Sequence, residues 1–280
     1  MKLKKVAAIL LAMGVAASFT ACGNSGSIGG ADGPTNVKVG TDTSLEDIKA
    51  KGKLVIGLDD TFVPMGFRDE AGNLTGFDID LAKAVSKEMG VEFEFQPIDW
   101  DAKEMELQNK KVDCLWNGLS ITPAREKVMQ FTKPYLDNKL VIMTMAGSDI
   151  KTKADLAGKN VGTQAASAAL EAVQEDASYE TFKDSLSEYK DYDAAIMDLE
   201  IGRIDAIIVD DVLGNYKNTL KNNAFAFGTE DFGPDEYGVA LRKDDKALFE
   251  EFNKAFTTVI ENGTASLISN QWFGKDIVLK

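Results

Sequence analysis

Short apolar runs alternate with helical periodicity along most of the chain. Residues 54–58, Leu-Val-Ile-Gly-Leu, form one buried strand-like run. In 78–89, Leu81, Ala82, Val85 and Met89 recur at helical spacing and Gly90 follows, which predicts an amphipathic helix with a glycine stop. Residues 91–95 alternate as a strand. Residues 101–110 read as a helix with Met105 and Leu107 as its core contacts, and 112–116 as the next strand. Further strands are expected at 140–145, 160–163, 204–210 and 237–241. Helices are expected at 167–173, 193–200, 246–262 (stopped by Gly263) and 264–273. This order predicts an α/β fold of parallel sheets covered on both faces. No solenoid-period repeat is visible. The length suits two half-size lobes better than one large sheet. Ligands of open α/β sheets bind beyond the carboxyl ends of strands, so the loops after Leu58, Trp116, Thr163 and Val209 are the places to look.

The first residues follow another logic. Lys2, Lys4 and Lys5 precede an apolar run over 6–17 that only Gly14 interrupts. A spanning helix needs about 20 apolar residues, so this run reads as a secretory signal peptide. It ends in Phe19-Thr20-Ala21-Cys22, which resembles a bacterial lipobox with Phe19 in place of the usual aliphatic residue. The resemblance implies cleavage before Cys22 and diacylglyceryl attachment to its sulfur; an ordinary secreted protein with an incidental cysteine is the alternative. Two acyl chains anchor stably where one is marginal. Residues 23–43 are rich in Gly, Ser, Thr and Asn, a flexible tether reaching on the order of 25 Å. Residues 1–21 are thus expected to be a signal peptide and 22–43 a lipidated cysteine plus linker. The working part lies outside the cytoplasm, held at the cell membrane by a lipid anchor.

Composition narrows the chemistry. The chain is 44% hydrophobic and 27% charged, enough for a real core. A net charge of −14 argues against nucleic acid, whose phosphates need clustered Lys and Arg. There is no histidine, which excludes His triads, His general bases and His metal ligands. Two cysteines, Cys22 and Cys114, are too few for a zinc site, and Cys114, in an apolar stretch, reads as a small buried hydrophobe. No metal and no cofactor are expected.

Four loop segments carry a recognisable pattern: Gly76-Phe77-Asp78-Ile79-Asp80-Leu81; Leu119-Ser120-Ile121-Thr122 with Arg125; Phe131-Thr132-Lys133-Pro134-Tyr135; and Gly202-Arg203-Ile204-Asp205-Ala206. Together, in this order behind a lipobox, they make the chain resemble the family 3 solute-binding proteins, the polar-amino-acid receptors of ABC importers, over nearly all of 44–275. The resemblance implies a periplasmic-binding-protein-like fold: two α/β lobes joined by a two-strand hinge with the ligand cleft between them. Lobe 1 would be 44–138 plus 236–280 and lobe 2 would be 139–235, with crossings near 137–141 and 232–237.

A free α-amino acid presents a carboxylate and an ammonium at fixed separation. Guanidinium binds carboxylate bidentately, so Arg125 is the natural clamp for one end. Asp210, at the end of a buried strand, is the natural partner for the other. The resemblance gives these two positions the same roles, from opposite lobes. Ser120 and backbone N–H groups near Asn117, Gly118 and Ser167 would add donors. Phe62 and Trp100 match positions whose rings sandwich the ligand side chain, with a cation–π face for a cationic one. Asp59 lies near the mouth. Asp78 either reaches the ligand's distal end or caps the helix that begins there, and Asp210 alone could be a helix N-cap. Trp116 lies beside the site or faces the core. The charged run 243–246 reads as a solvated face.

The chain departs from the family pattern at Asn117-Gly118 and at Ala166-Ser167-Ala168, where hydroxyl residues are common. Asn117 offers both a donor and an acceptor for a polar side chain. The expected ligand is a polar amino acid: a basic one, glutamine or cystine. An ABC permease and its ATPase are the implied partners, and the receptor is expected to be a monomer. Sensing without transport, or a dehydratase-type enzyme on the same scaffold, are the alternatives, because fold alone does not separate binder from catalyst. Catalysis would need a positioned acid or base, and the candidates Asp59, Asp78 and Asp210 form no clear carboxylate pair.

Overall fold

The computed structural model describes residues 41–280. The expected signal peptide, Cys22 and most of the expected tether lie outside the described residues. No described helix is long and apolar enough to cross a membrane.

The chain folds as two α/β lobes. The first opens with helix α1 (Ser44–Lys51) and strand β1 (Lys53–Leu58), followed by three short strands, β2 (Thr61–Phe62), β3 (Gly66–Arg68) and β4 (Leu74–Thr75), that form a small antiparallel sheet. Helix α2 (Phe77–Met89) ends at Gly90 in the left-handed conformation. Its buried Phe77, Leu81, Ala82 and Val85 lie on the stripe that the spacing predicts. Strand β5 (Glu92–Pro97), helix α3 (Lys103–Gln108), strand β6 (Cys114–Leu115), helix α4 (Pro123–Glu126) and strand β7 (Met129–Phe131) complete the forward part. In α3 the contacts are Lys103 and Leu107; Met105 is 59% exposed, so its expected core role is wrong. A spacing of four puts Leu107 under Lys103, whereas Met105 falls on the opposite face.

The long strand β8 (Leu136–Met145) leads into the second lobe, which continues through β9 (Val161–Gln164), helix α5 (Ala168–Glu175), β10 (Leu186–Tyr189), helix α6 (Tyr192–Glu200), β11 (Ala206–Asp210) and helix α7 (Asp211–Leu220). Strand β12 (Phe225–Tyr237) then pairs antiparallel with β8 and leads to β13 (Ala240–Arg242), helix α8 (Lys246–Glu261) and helix α9 (Thr264–Phe273) in the first lobe.

The two sheets run β5-β1-β6-β13-β7 and β10-β9-β11-β8-β12, five strands each. They are mixed rather than purely parallel. β1 lies parallel to β5 and β6, but β13 is antiparallel to β6 and β7. β9 lies parallel to β10 and β11, but β8 is antiparallel to β11 and β12. The crossover accounts for the antiparallel members of the second sheet: β8 and β12 pair in opposite directions there, and their ends Leu136 and Tyr237 reach the first lobe through single bridges to Val278 and Ser120. The 13-residue β12 was not expected, because glycines, a proline and acids dilute its alternation and its register shifts twice.

Cys114 is a free, fully buried thiol, and Trp116 faces the core against Tyr135, Phe252 and Phe256. The charged run 243–246 is only partly a solvated face. Asp245 is buried and accepts from Arg242 Nε at 2.6 Å. Arg242 also donates to the carbonyls of Leu107 and Val112, so it ties α3 and the loop before β6 to β13.

Gly76 begins α2 with φ +139°, and a Cβ there would stand 2.2 Å from the Met65 carbonyl oxygen. Rigid backbone offers no relief, so Gly76→Ala should lose at least about 3 kcal/mol of stability. Urea unfolding of the variant checks this.

Candidate functional site

Three groups of side chains meet where the lobes face each other. The first is cationic. Thr122 caps α4, accepting the N–H of Arg125 at 3.3 Å, and Pro123 fills the first helical position, where no N–H is needed. This turn aims Arg125 inward, and the residue is only 2% exposed. Its Nη1 donates to the Ser120 carbonyl at 3.0 Å and its Nη2 to the Ala166 carbonyl of the other lobe at 3.2 Å. Its Nε lies 3.5 Å from Glu171 Oε1 and is a buried donor with no hydrogen-bond partner. Beside it, Lys103 Nζ donates to the same Ala166 carbonyl at 2.7 Å and to the Trp100 carbonyl at 3.2 Å. Burial, and then the charge of Arg125, push the Lys103 pKa down to about 7.

The second group is anionic. Asp210 ends β11 and precedes α7, but its carboxylate makes no cap bond. It accepts from Asn138 Nδ2 at 2.7 Å and Tyr237 Oη at 2.8 Å. Asn138 Nδ2 also donates to Asp235 at 2.8 Å, and Ser120 Oγ donates to Asp235 at 2.9 Å. Asn138 and Asp235 face each other in the β8–β12 register, so this cluster sits on the crossover itself. Burial and the neighbouring Asp235 push the Asp210 pKa up to about 7, and burial raises that of Asp235 as well. Two buried carboxylates side by side favour a cation between them. Tyr192, at the start of α6, adds a buried hydroxyl with no hydrogen-bond partner.

The third group lies toward the edge. Asp59 follows β1 and accepts from Thr61 N and Oγ1 at 2.9 and 2.7 Å, and from Gln164 Nε2 of the other lobe at 2.8 Å. Burial raises its pKa. Phe62 meets Tyr192 across the lobes, with ring centroids 6.2 Å apart. A cavity of about 230 Å³ opens beside Asp59, lined by Asp60, Asp99, Trp100, Lys190 and Asp191 among others. Lys190 pairs with Asp99 at 3.0 Å.

The structure therefore gathers Asp59, Phe62, Trp100, Ser120 and Arg125 from one lobe with Ser167 and Asp210 from the other. Phe62 stands against Tyr192, while Trp100 lines the cavity and packs over Lys103 Nζ at 5.2 Å. The Ser120 hydroxyl, expected as a ligand donor, is already engaged. Ser120 Oγ holds Asp235, and Ser167 Oγ caps α5 by accepting from Leu170 N at 3.0 Å.

Asp78 answers neither alternative read from the sequence. It makes no cap bond, and it is 1% exposed within the first lobe. It accepts from Gly118 N at 2.7 Å and from Tyr135 Oη at 2.8 and 2.9 Å. Its task is to hold the loop after β6. Asn117 likewise backs the site, its Oδ1 accepting the Asp59 N–H at 3.2 Å. Gly118 has φ +53° with Phe62, Tyr237 and Met65 packed against the place of a Cβ, so only glycine fits that turn. Sequence reasoning missed Lys103, Asn138, Gln164, Glu171, Tyr192 and Asp235. The β-alternation of 161–164 does point Gln164 and Gly162 to one face, but nothing local marks the others.

Comparison with known proteins follows the geometry. Residues 54–275 match the model of bacterial extracellular solute-binding proteins, family 3. The chain is 32% identical to the L-cystine-binding protein TcyJ of Escherichia coli K12 over 83% of its own length and 87% of that protein's. It is 34% identical to the ABC transporter arginine-binding protein 1 of the same organism, over 80% and 92%. The structure superposes with a TM-score of 0.80 on an ABC uptake transporter substrate-binding protein of Streptococcus pneumoniae with bound histidine, at 35% identity over 86% of this chain and 99% of that one. The chain belongs to the family 3 solute-binding proteins, a class of binders rather than enzymes.

Asp78 and Asp210 both have folded pKa values of about 7 against 3.8 when unfolded. Between those values the folded protein binds more protons than the unfolded one, so the stability these two groups contribute is fully present below about pH 4 and is lost as pH rises to about 7, above which the lowered pKa of Lys103 acts with the opposite sign. Urea midpoints of ligand-stripped protein should drop over that window. Asp78→Asn and Asp210→Asn should each flatten the slope, at about 1.4 kcal/mol per unit of pKa shift removed.

Proposed function

We propose that this family 3 protein is an extracytoplasmic receptor that captures a cationic amino acid by closure of its lobes and delivers it to an ABC permease and its ATPase. The observation that carries the reading is the pair of poles: a buried guanidinium, Arg125, on one lobe and a buried carboxylate, Asp210, on the other. A zwitterion bridges them, its carboxylate on Arg125 and its ammonium on Asp210 beside Asp235. Closure excludes water, and both pairs strengthen in the lower dielectric. The side chain runs toward Asp59 and the cavity beside it. Asp60, Asp99 and Asp191 there, against the single Lys190, favour a positive end, and Trp100 supplies an aromatic wall. Relatives named for arginine and for lysine, arginine and ornithine agree with that class; those named for cystine and histidine mark the alternatives.

Lobe 1 comprises 44–138 and 236–280 and lobe 2 comprises 139–235, hinged where β8 and β12 cross. Cleavage before Cys22 and acylation of its sulfur hold the receptor at the cell membrane, with 23–43 as the tether. It works as a monomer.

A thermal-shift panel of the twenty amino acids with ornithine and cystine, on refolded residues 23–280, tests this. Arginine, lysine or ornithine should give the largest shift; a ligand at 1,000 times its Kd adds about 4 kcal/mol. Cystine or glutamine as the single strong ligand would replace the cationic class, and a flat panel would contradict the receptor reading. Arg125→Ala and Asp210→Ala should each cost about 2–5 kcal/mol of binding with the fold intact. Wild-type affinity in both would remove the site assignment.

A further inference from the structure

Lys103 occupies a position where an apolar residue would be the inexpensive choice. In α3 only Lys103 and Leu107 are buried, one turn apart on the face turned to the core. Lys103 is 2% exposed, and both hydrogen bonds of its Nζ end on backbone carbonyls rather than on a carboxylate. Taking an ammonium out of water without a counter-charge is costly. Of the two carbonyls, that of Trp100 is local and the bond is long, at 3.2 Å. The shorter bond, 2.7 Å, crosses to Ala166 on the other lobe. Ala166 itself has φ +52°, unusual for a residue with a side chain. Its carbonyl accepts from Lys103 and Arg125 together.

We infer that Lys103 is a positioning residue for ligand capture, a latch whose Nζ–H bond to the Ala166 carbonyl forms when the lobes close and holds them closed. The inference rests on the receptor reading above. With the lobes apart, Nζ loses its better acceptor and returns to water; with them together, it is covered by Ala166, Trp100 and Arg125. Protonated or neutral, the amine carries an N–H for that carbonyl. The latch therefore adds stability to the closed state alone, which places its effect on ligand release rather than on encounter. It also fixes the Ala166 turn beside Arg125, where the ligand carboxylate is proposed to lie.

Lys103→Met keeps the length of the side chain and removes the donor. Stopped-flow binding of L-arginine should show dissociation at least about tenfold faster, with association within about twofold of wild type, as expected for a bond absent from the encounter complex. Urea stability of the ligand-free protein reports whether the variant folds. L-argininamide, which lacks the carboxylate, separates latch from ligand contact: the preference for arginine over the amide should be the same in both proteins. Unchanged dissociation overturns the latch. A lost preference for the carboxylate also overturns it, making Lys103 a ligand contact. Energy transfer between dyes at K87C and R203C, one on each lobe, reads closure directly, and ligand-free Lys103→Met should populate closed molecules less than wild type. Should wild type bind no amino acid, the receptor reading fails; the dye distances then test the latch alone, and identical distributions in the two proteins would overturn it.

Discussion

Two opposite charges buried on opposite lobes constrain everything else in this molecule. Arg125 has a carbonyl on each side and only the half-exposed Glu171 carboxylate, 3.5 Å from an Nε without a hydrogen-bond partner; Asp210 has an amide, a hydroxyl and a second carboxylate but no cation within bonding distance among the described residues. Neither charge is inexpensive to bury alone. What each lobe lacks is what the two ends of an amino acid provide. The surrounding architecture reads as the means of presenting these charges: a capped turn for Arg125, and a strand end wired into the crossover for Asp210.

The wiring to the crossover has a mechanical consequence. Asn138 on β8 and Asp235 on β12 are register partners, and Asn138 bonds both Asp235 and Asp210 through one amide nitrogen. Ser120, five residues before Arg125, donates to Asp235. A chain of bonds thus runs from the anionic pole through the two crossing strands to the loop that carries the cationic pole. In the proposed reading, an ammonium arriving at Asp210 would act on groups of the two crossing strands, so binding and closure would share the same residues.

Much of this was legible in the sequence. Periodicity and glycine stops marked α2, α8 and α9 nearly to the residue; α2 and α8 carry clean apolar stripes, and α9 is bounded by Gly263 and Gly274. The loops after β1, β6, β9 and β11, where strand-end logic looks for a site, bring the candidate residues together. Patterning failed where one residue serves two masters. β12 crosses between lobes, so its faces change environment along its length and no alternation survives. Lys103 sits at an apolar position because its partner lies 63 residues away. Asp78 was ambiguous because an acid at a helix start has a local use as a cap, while its actual use, the Gly118 N–H, is 40 residues off. Asp235 hid in a Pro-Asp-Glu-Tyr segment that resembles any polar turn. Local chemistry identifies groups; only the fold says which of them face one another.

The central claim is that each pole holds one end of the ligand. Calorimetric titration of stripped protein with L-arginine, with agmatine, which lacks the carboxylate, and with the analogue lacking the α-ammonium tests it most directly. The account predicts that arginine binds and that removing either end costs about 2–5 kcal/mol, as for any group that leaves a buried charge unpaired. An analogue missing one end that bound as tightly as arginine would show that the corresponding pole is not a ligand contact, and would contradict the account.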